Sequence, residues 1–349
     1  MTKNDKRGAN LKNKSRKKKA VALLSGGLDS NLAIRMIQDQ GIDVEAVAIK
    51  TPFCDFDCGK GCGHRVKEVA TELGIALKTI YFGEEYLQML KNPKHGYGSG
   101  MNPCIDCRSM MYNAAKDHME NIGAEFIITG EVLGQRPMSQ NKNALSIIES
   151  ETGTKGVVVR PLSAKHLPIT DPEKKGFIKR ENLGYIKGRS RKEQIKLAEK
   201  YDINDPPNSA GGCLLTDPIF SKRIKDLYEH NITIPDINDV ELLKIGRHFR
   251  ISGEKKLIVG RNREENTVLE ALAIKKDLKI IVKDYVGPTC IFRGKKPTKD
   301  EIIMCARIAV RYSDAPKNDY SIVKICGHAY ENEFSVMPLD EYSIDNIRI

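Results

Sequence analysis

Short apolar runs alternate with amphipathic segments along the first two-thirds of the chain. Four runs have the length of buried strands: Ala20–Leu24, Val44–Ile49, Ile75–Tyr81 and Phe126–Thr129. Apolar residues recur at helical spacing in residues 28–40, 65–73 and 107–122, and a glycine follows each segment. This alternation predicts an α/β fold, with a parallel sheet covered by helices on both faces.

The pattern weakens after about residue 235. From Glu241 onward the chain reads as strands and loops with one helix at residues 299–312, and the segment after Ile234 resembles a linker. We therefore predict a basic tail at residues 1–19, an α/β domain at residues 20–235 and a smaller α+β domain at residues 241–349.

Composition narrows the class of protein. The chain has 349 residues, 40% of them hydrophobic and 30% charged, which excludes wholesale disorder. Mean hydropathy is −0.41, and no apolar run approaches the ~20 residues of a membrane helix. No apolar segment follows the basic N-terminus, so we expect a cytoplasmic protein without a membrane partner.

The net charge of +11 is concentrated at the N-terminus. Residues 1–19 contain nine Lys and Arg but one acid, Asp5, so the remaining 330 residues carry only about +3. Such a tail suits a nucleic-acid phosphate backbone through counterion release. A solvated leader with no partner is the alternative.

The segment Ser25-Gly-Gly-Leu-Asp-Ser30 follows the first predicted strand and opens the first predicted helix. Glycines at such a turn let backbone N–H groups approach a phosphate, and the helix N-terminus favours negative charge. We expect Ser25, Gly26, Gly27 and Ser30 to bind phosphate and Asp29 to hold Mg²⁺. Neither the Walker motif nor G-x-G-x-x-G is present; a plain tight turn is the alternative.

The nine cysteines are unevenly distributed. Cys104 and Cys107 form C-x-x-C, and Cys213 lies alone in a glycine-rich segment. Cys54, Cys58 and Cys62, with His64 nearby, form a group whose spacing fits no common zinc motif; they are either a metal site or unpaired loop thiols. In a reducing cytosol these patterns indicate metal or sulfur chemistry and not disulfides.

Three of these segments resemble known enzymes. SGGLDS resembles the PP-loop of ATP pyrophosphatases, of adenine nucleotide α-hydrolase-like fold, which cleave ATP to AMP and pyrophosphate. The run from Thr129 to Gln140 resembles a segment of tRNA 4-thiouridine synthetases, which implies that Gly130 and Gln135, and less directly Glu131, line the nucleotide site. NPCIDC and GGCLLTDP resemble the cysteine segments of PP-loop tRNA thiolases.

The resemblance implies that ATP, Mg²⁺ and three cysteines serve catalysis, with Asp29, Cys104 and Cys213 as catalytic residues. Cys104 and Cys213 then act as a nucleophile and persulfide pair, or Cys104, Cys107 and Cys213 bind a [4Fe–4S] cluster. The resemblance favours the cluster; a structural zinc site is a third alternative.

The C-terminal region resembles the NFACT-R RNA-binding domain over about residues 245–295. The resemblance lies in residues 257–266, Asp277-Leu278 and Gly287-Pro288. It implies RNA binding, and the arginines that could contact phosphates are Arg250, Arg261, Arg263 and Arg293. A charged, solvated face in a structural domain is the alternative.

Together these features predict an ATP-dependent tRNA sulfurtransferase, with 4-thiouridine at tRNA position 8 as the expected product. A 2-thiouridine product and a non-catalytic RNA-binding protein with a relic PP-loop are the alternatives. The partners would be tRNA and a sulfur donor, either a cysteine desulfurase or inorganic sulfide. The sequence does not fix the oligomeric state, and a homodimer is compatible with it.

Overall fold

The computed structural model describes residues 17–54, 65–203, 213–231, 233–327 and 330–349. The strands, numbered in chain order, are β1 (Lys19–Leu23), β2 (Asp43–Lys50), β3 (Leu77–Tyr81), β4 (Phe126–Thr129), β5 (Val158–Val159), β6 (Arg247–Ser252), β7 (Lys255–Val259), β8 (Leu278–Val282), β9 (Cys290–Arg293), β10 (Ser321–Gly327) and β11 (Tyr330–Val336).

The helices, also numbered in chain order, are α1 (Leu28–Gln38), α2 (Val66–Glu72), α3 (Glu84–Lys91), α4 (Cys104–Asn121), α5 (Lys142–Thr152), α6 (Asp171–Lys174), α7 (Lys192–Lys200), α8 (Pro218–His230), α9 (Ile237–Leu243), α10 (Arg263–Leu272), α11 (Lys299–Arg311) and α12 (Glu341–Ile347). No helix among the described residues is both long enough and apolar enough to cross a membrane.

A five-stranded sheet has the order β3-β2-β1-β4-β5. The pairings of β1 with β2, β1 with β4 and β4 with β5 are all parallel, which confirms the predicted α/β class. The four predicted strands match β1 to β4 within two residues. The centre of this sheet is fully apolar, as a parallel sheet covered on both faces requires.

A second sheet has six strands in the order β11-β10-β8-β9-β7-β6. Its recorded pairings are antiparallel, and α11 packs on its buried face beside Phe249, Leu257 and Phe292. This sheet and its helices form the second, α+β part of the chain that the sequence predicts.

The chain divides into two compact units. The first unit takes in the described residues among 17–49, 65–80 and 108–203, and its core lies between α1, α2 and the parallel sheet. The second unit takes in residues 50–54, 81–107 and the described residues from 213 onward. The domain boundary near residue 235 stays a prediction about the linear chain.

Helix α4 begins three residues earlier than the sequence pattern predicts. The Cys107 N–H donates to the Pro103 carbonyl at 2.9 Å, which closes the first turn ahead of Cys107. Cys104 and Cys107 therefore lie one turn apart on the same face of the helix.

Candidate active site

The glycine loop of the first unit lies where the strand order of the parallel sheet reverses. β1 and β4 are neighbours at that point, and the segments Ser25–Ser30 and Gly130 follow their carboxyl ends. Ligands of open α/β sheets bind in the crevice at such a switch point. The fold therefore places the predicted phosphate loop where a nucleotide would bind.

The loop is held by its own hydroxyl groups. Ser30 Oγ donates to the Gly27 carbonyl at 2.9 Å and lies 3.3 Å from Ser25 Oγ, while Gly26 has φ +78°. Gly27 is the N-cap of α1, and no side chain caps this helix end. The first N–H groups of α1 can therefore bind an anion.

Gly130 lets β4 approach the start of α1. A Cβ atom at this position would lie 2.4 Å from the Ser30 nitrogen and 2.6 Å from the Asp29 carbonyl carbon. Those atoms are backbone and cannot move aside alone, so a glycine is required there. The sequence resemblance assigns Gly130 to the nucleotide site, and the structure indicates that Gly130 shapes the loop.

Asp29 has one satisfied and one unsatisfied oxygen. Gln135 Nε2 donates to Asp29 Oδ2 at 2.8 Å, whereas Oδ1 is buried and has no hydrogen-bond partner among the described residues. Burial raises the pKa of Asp29 above its ordinary value, although Gln135 and the nearby charges of Arg191 and Arg136 oppose this rise. An unpartnered buried carboxylate oxygen fits a Mg²⁺ ligand, since a hard cation prefers oxygen and would compensate the lost hydration.

The sequence analysis missed three residues beside Asp29. Arg136 follows Gln135, and Arg191 and Gln194 lie at the start of α7; both arginines lower the pKa of Asp29. Gln194 is fully buried, and neither of its amide atoms meets hydrogen-bond geometry with a described residue. Arg136 could have been recognised next to Gln135. Nothing in the local pattern of α7 points to a site.

Glu131 takes part in a buried ion network of the first unit. Its carboxylate accepts from Arg108 at 2.7 Å and from Arg160 at 2.9 Å, and it also accepts a short hydrogen bond from Tyr112. Burial alone would raise the pKa of Glu131, but the two guanidinium groups lower it below its ordinary value. Its oxygens are thus occupied by protein donors, so the weaker expectation of a nucleotide contact is wrong.

The two predicted catalytic thiols, Cys104 and Cys213, and the third predicted cluster ligand, Cys107, lie near one another in the second unit. The Leu215 carbonyl, two residues after Cys213, accepts from the Met101 N–H at 3.0 Å, just before α4. Burial, together with the nearby thiols of Cys107, Cys54 and Cys104, raises the pKa of Cys213 to about 12. Cys213 therefore lies within electrostatic range of both cysteines of the C-x-x-C motif.

Two more residues belong to this thiol cluster. Tyr86 of α3 is 1% exposed, its hydroxyl is hydrogen-bonded to Cys107, and burial together with Cys107 and Cys213 raises its pKa well above the ordinary value. Cys54 also lies near Cys213, and its Sγ is 3.2 Å from Thr51 Oγ1.

Phe53 fixes the position of Cys54 in this cluster. Its buried ring packs 5.7 Å from the ring of Tyr86 and 5.9 Å from that of Phe220. Sequence spacing grouped Cys54 with Cys58 and Cys62, but the structure places it beside Cys213. Cys58, Cys62 and His64 lie outside the described residues.

The donor set constrains what this cluster can hold. Within the described ranges, no group of three or more His, Cys, Asp or Glu side chains is arranged around a single metal position. A structural zinc site takes four ligands around one ion. In an iron–sulfur cluster each thiolate binds a different iron, and Cys104, Cys107 and Cys213 are the thiols that would hold one.

Two of the four predicted RNA-contacting arginines serve structural roles. Arg293 donates to Asp277 and Asp239 at 2.7 and 2.8 Å, and Arg250 forms a short ion pair with Asp226. Both side chains are largely buried, so the expectation that they contact phosphate is wrong. Arg261 and Arg263 are exposed, and Arg261 also pairs with Glu265.

Comparisons with known proteins agree with this division of motifs. Residues 15–166 match the family of thiamine biosynthesis protein (ThiI), and residues 246–347 match the NFACT protein RNA binding domain. A tRNA-specific 2-thiouridylase MnmA from Nitrosomonas europaea is 23% identical over 329 residues, which cover 86% of each chain.

Two solved structures are also similar. A 4-thiouridine synthetase–RNA complex with bound ATP is 24% identical, with a TM-score of 0.34 over 65% of this chain and 52% of that one. The U34-tRNA thiolase NcsA from Methanococcus maripaludis with its [4Fe–4S] cluster is 16% identical, with a TM-score of 0.36 over 65% of this chain and 70% of that one. The chain is thus similar to the ThiI family over residues 15–166 and to the NFACT RNA-binding domain over residues 246–347.

Proposed function

We propose that this protein is an ATP-dependent tRNA sulfurtransferase, which adenylates a uridine carbonyl and replaces its oxygen with sulfur. The observation that carries the proposal is the gathering of Cys104, Cys107 and Cys213 around Tyr86, in a chain with an uncapped nucleotide loop. The ThiI-family match and the 2-thiouridylase relative support the same chemistry, and the NFACT match supports RNA as the partner.

The first step activates the base. The α1 N-terminus and the hydroxyls of Ser25 and Ser30 bind the phosphates of ATP, and the unpartnered oxygen of Asp29 holds Mg²⁺ against them. The uridine carbonyl oxygen then bonds to the α-phosphorus, and the bond to the β-phosphate breaks to release pyrophosphate. A carbonyl oxygen is a poor leaving group. Adenylation makes this oxygen part of AMP, which is a good leaving group.

The second step delivers sulfur. A sulfur nucleophile bonds to the activated carbon, the carbon–oxygen bond breaks, and AMP leaves with the electron pair. If the sulfur is carried as a persulfide on Cys213, a neighbouring thiol must then cleave the S–S bond, which leaves a disulfide for an external dithiol to reduce. A [4Fe–4S] cluster held by Cys104, Cys107 and Cys213 would instead supply an iron with an open coordination position for sulfide.

The finer assignment is 4-thiouridine at tRNA position 8. It is supported by the segment from Thr129 to Gln140, which contributes Gly130 and Gln135 to the loop region. A 2-thiouridine product is the second candidate, and the 2-thiouridylase relative favours it. A non-catalytic role is disfavoured because a relic loop has no need for a buried carboxylate with an unpartnered oxygen.

The test is the Cys213→Ala variant, assayed with transcribed tRNA, ATP and Mg²⁺, with a cysteine desulfurase and cysteine as the sulfur donor, and read by mass spectrometry of the nucleosides. We expect thiouridine formation to be lost while ATP–pyrophosphate exchange continues, because Cys213 acts after adenylation. Cys326→Ala is the matched control, since Cys326 is a half-buried thiol on β10 outside the thiol cluster. Full thiolation by Cys213→Ala would contradict the proposed sulfur step.

A further inference from the structure

A cavity of about 520 Å³ opens beside Cys213 in the second unit. Cys213 lines it together with Asp217 and Ile219 from the start of α8. Arg223 of α8, Lys244 after α9 and Arg261 after β7 supply three cationic side chains. Neither the phosphate loop nor the C-x-x-C motif contributes to this cavity.

The three cationic side chains of the cavity differ in their ion pairs. Arg261 pairs with Glu265, and Lys244 pairs with Glu241 at 2.6 Å. Arg223 instead donates to the carbonyls of Leu243 at 2.7 Å and Gly246 at 2.9 Å. Among the described residues no carboxylate lies within ion-pair distance of Arg223.

Two observations show that the Arg223 guanidinium is poorly stabilised. Its Nε atom is buried and has no hydrogen-bond partner in the described structure. Burial and the nearby charge of Arg261 lower the pKa of Arg223 below its ordinary value, although the carboxylates of Asp217 and Glu265 oppose this shift. Two guanidinium groups that line the same cavity would both be stabilised by a bound anion.

The size of the cavity and its mixed polar and apolar lining indicate the class of anion. Its volume lies within the roughly 300–1,000 Å³ of small-molecule pockets and far exceeds the ~30 Å³ of a water-sized ion such as hydrosulfide. Ile219 is 60% exposed at the cavity, which gives one wall an apolar surface. A nucleotide combines an anionic phosphate with a flat base that packs on apolar side chains.

We propose that this cavity holds one nucleotide of the RNA substrate, with its phosphate at Arg223, Arg261 and Lys244 and its base against Ile219. The proposal deepens the proposed function, because a nucleotide held there lies next to the sulfur-handling Cys213. The cavity would then fix the position of the RNA in the second unit, whichever uridine is modified.

Hydroxyl-radical footprinting with transcribed tRNA tests this inference directly. Oxidation of the exposed Ile219 is read by peptide mass spectrometry, with and without tRNA at a concentration that saturates each protein. We expect tRNA to protect Ile219 in the wild type and this protection to be lost in the Arg261→Gln Lys244→Gln double variant. Each phosphate contact removed should also lower the salt slope of tRNA binding by about one.

Lys275→Gln is the control, because Lys275 is an exposed cation after α10 that does not line the cavity. It should keep the protection of Ile219. The proposal would be overturned if tRNA protected Ile219 equally in the double variant and in the wild type. It would also be overturned if poly-glutamate protected Ile219 of the wild type as well as tRNA does.

The outcome is distinguishable from that of the proposed function. Protection of Ile219 by a tRNA that gains no thiouridine would leave the nucleotide cavity standing and contradict the sulfurtransferase. Thiolation of a tRNA that does not protect Ile219 would leave the sulfurtransferase standing and contradict the nucleotide cavity.

Discussion

At the scale of single residues, the site depends on buried acidic groups whose charge the protein alone does not stabilise. Asp29 has one oxygen bonded to Gln135 and one with no partner, and its pKa is raised by burial. Desolvation disfavours a carboxylate until a cation or a donor replaces the lost water. The unpartnered oxygen of Asp29 therefore has the chemistry of a ligand for a hard cation.

Asp29→Asn should reduce ATP–pyrophosphate exchange on the order of a hundredfold or more, because asparagine keeps the size of the side chain but loses the charge that holds Mg²⁺. The exchange rate at saturating Mg²⁺ measures this effect. Asp43→Asn is the control, since Asp43 is an exposed carboxylate at the start of β2. Exchange that stays at the wild-type rate in Asp29→Asn would remove Asp29 from the mechanism.

The sequence identified the residues of the loop but not all that surround it. The ends of predicted strands are closely followed by Ser25 to Ser30, Gly130 and Gln135, so the sequence pattern is enough to identify these residues. Arg191 and Gln194 reach Asp29 only through the packing of α7 against α1. Cys54 likewise lies near Cys213 because Phe53 packs against Tyr86 and Phe220. The spacing of residues along the sequence does not show these contacts.

At the scale of elements, the close approach of β4 to α1 shapes the phosphate loop. The apolar runs predict β1 to β4 because a parallel sheet buries both faces of its strands. Two-residue β5 was missed, since its run is too short to distinguish from a loop. Helix α4 was predicted to begin too late because Pro103, which its first turn uses as an acceptor, read as a break.

Gly130→Ala tests this approach. The added methyl would lie 2.4 Å from the Ser30 nitrogen, so the start of α1 must shift at a cost of about 1–3 kcal/mol. We expect a lower thermal midpoint and weaker ATP binding, measured by calorimetry. Gly83→Ala is the control, because its nearest atom would be 3.6 Å away. Unchanged ATP affinity in Gly130→Ala would show that this contact does not shape the loop.

A buried lysine couples the stability of the second unit to pH. Lys256 on β7 is 6% exposed, and burial lowers its pKa to about 7; Asp226 opposes this shift, and Arg250 and Arg223 reinforce it. The unfolded chain holds this proton up to its ordinary pKa of about 10.4, whereas the folded chain releases it near 7. The free energy of unfolding should therefore rise with pH across that window.

Lys256→Met should remove this rise. Between about pH 7 and about pH 9 the wild type should gain on the order of 2 kcal/mol relative to the variant, from a proton difference of up to one. Urea unfolding at both pH values measures it, and Lys275→Met, at an exposed site after α10, is the control. If the free energy of unfolding changed with pH equally in Lys256→Met and the wild type, the lowered pKa assigned to Lys256 would be contradicted.

At the scale of the whole molecule, the predicted nucleotide loop and the predicted sulfur-handling thiols belong to different compact units. The loop with Asp29 and Gly130 belongs to the first unit, and the thiols of Cys54, Cys104, Cys107 and Cys213 belong to the second. The sequence displays both sets of motifs. It does not reveal that residues 50–54 and 81–107 group with the C-terminal region, because long-range packing decides that grouping.

The proposed sulfurtransferase would put sulfur into tRNA in the cell. Mass spectrometry of nucleosides from the tRNA of cells with and without the gene tests this activity. We expect the loss of a single thiouridine, 4-thiouridine for the first assignment or a 2-thiouridine for the second, and its return with the wild-type gene but not with Cys213→Ala. An unchanged set of thionucleosides in cells that lack the gene would contradict it.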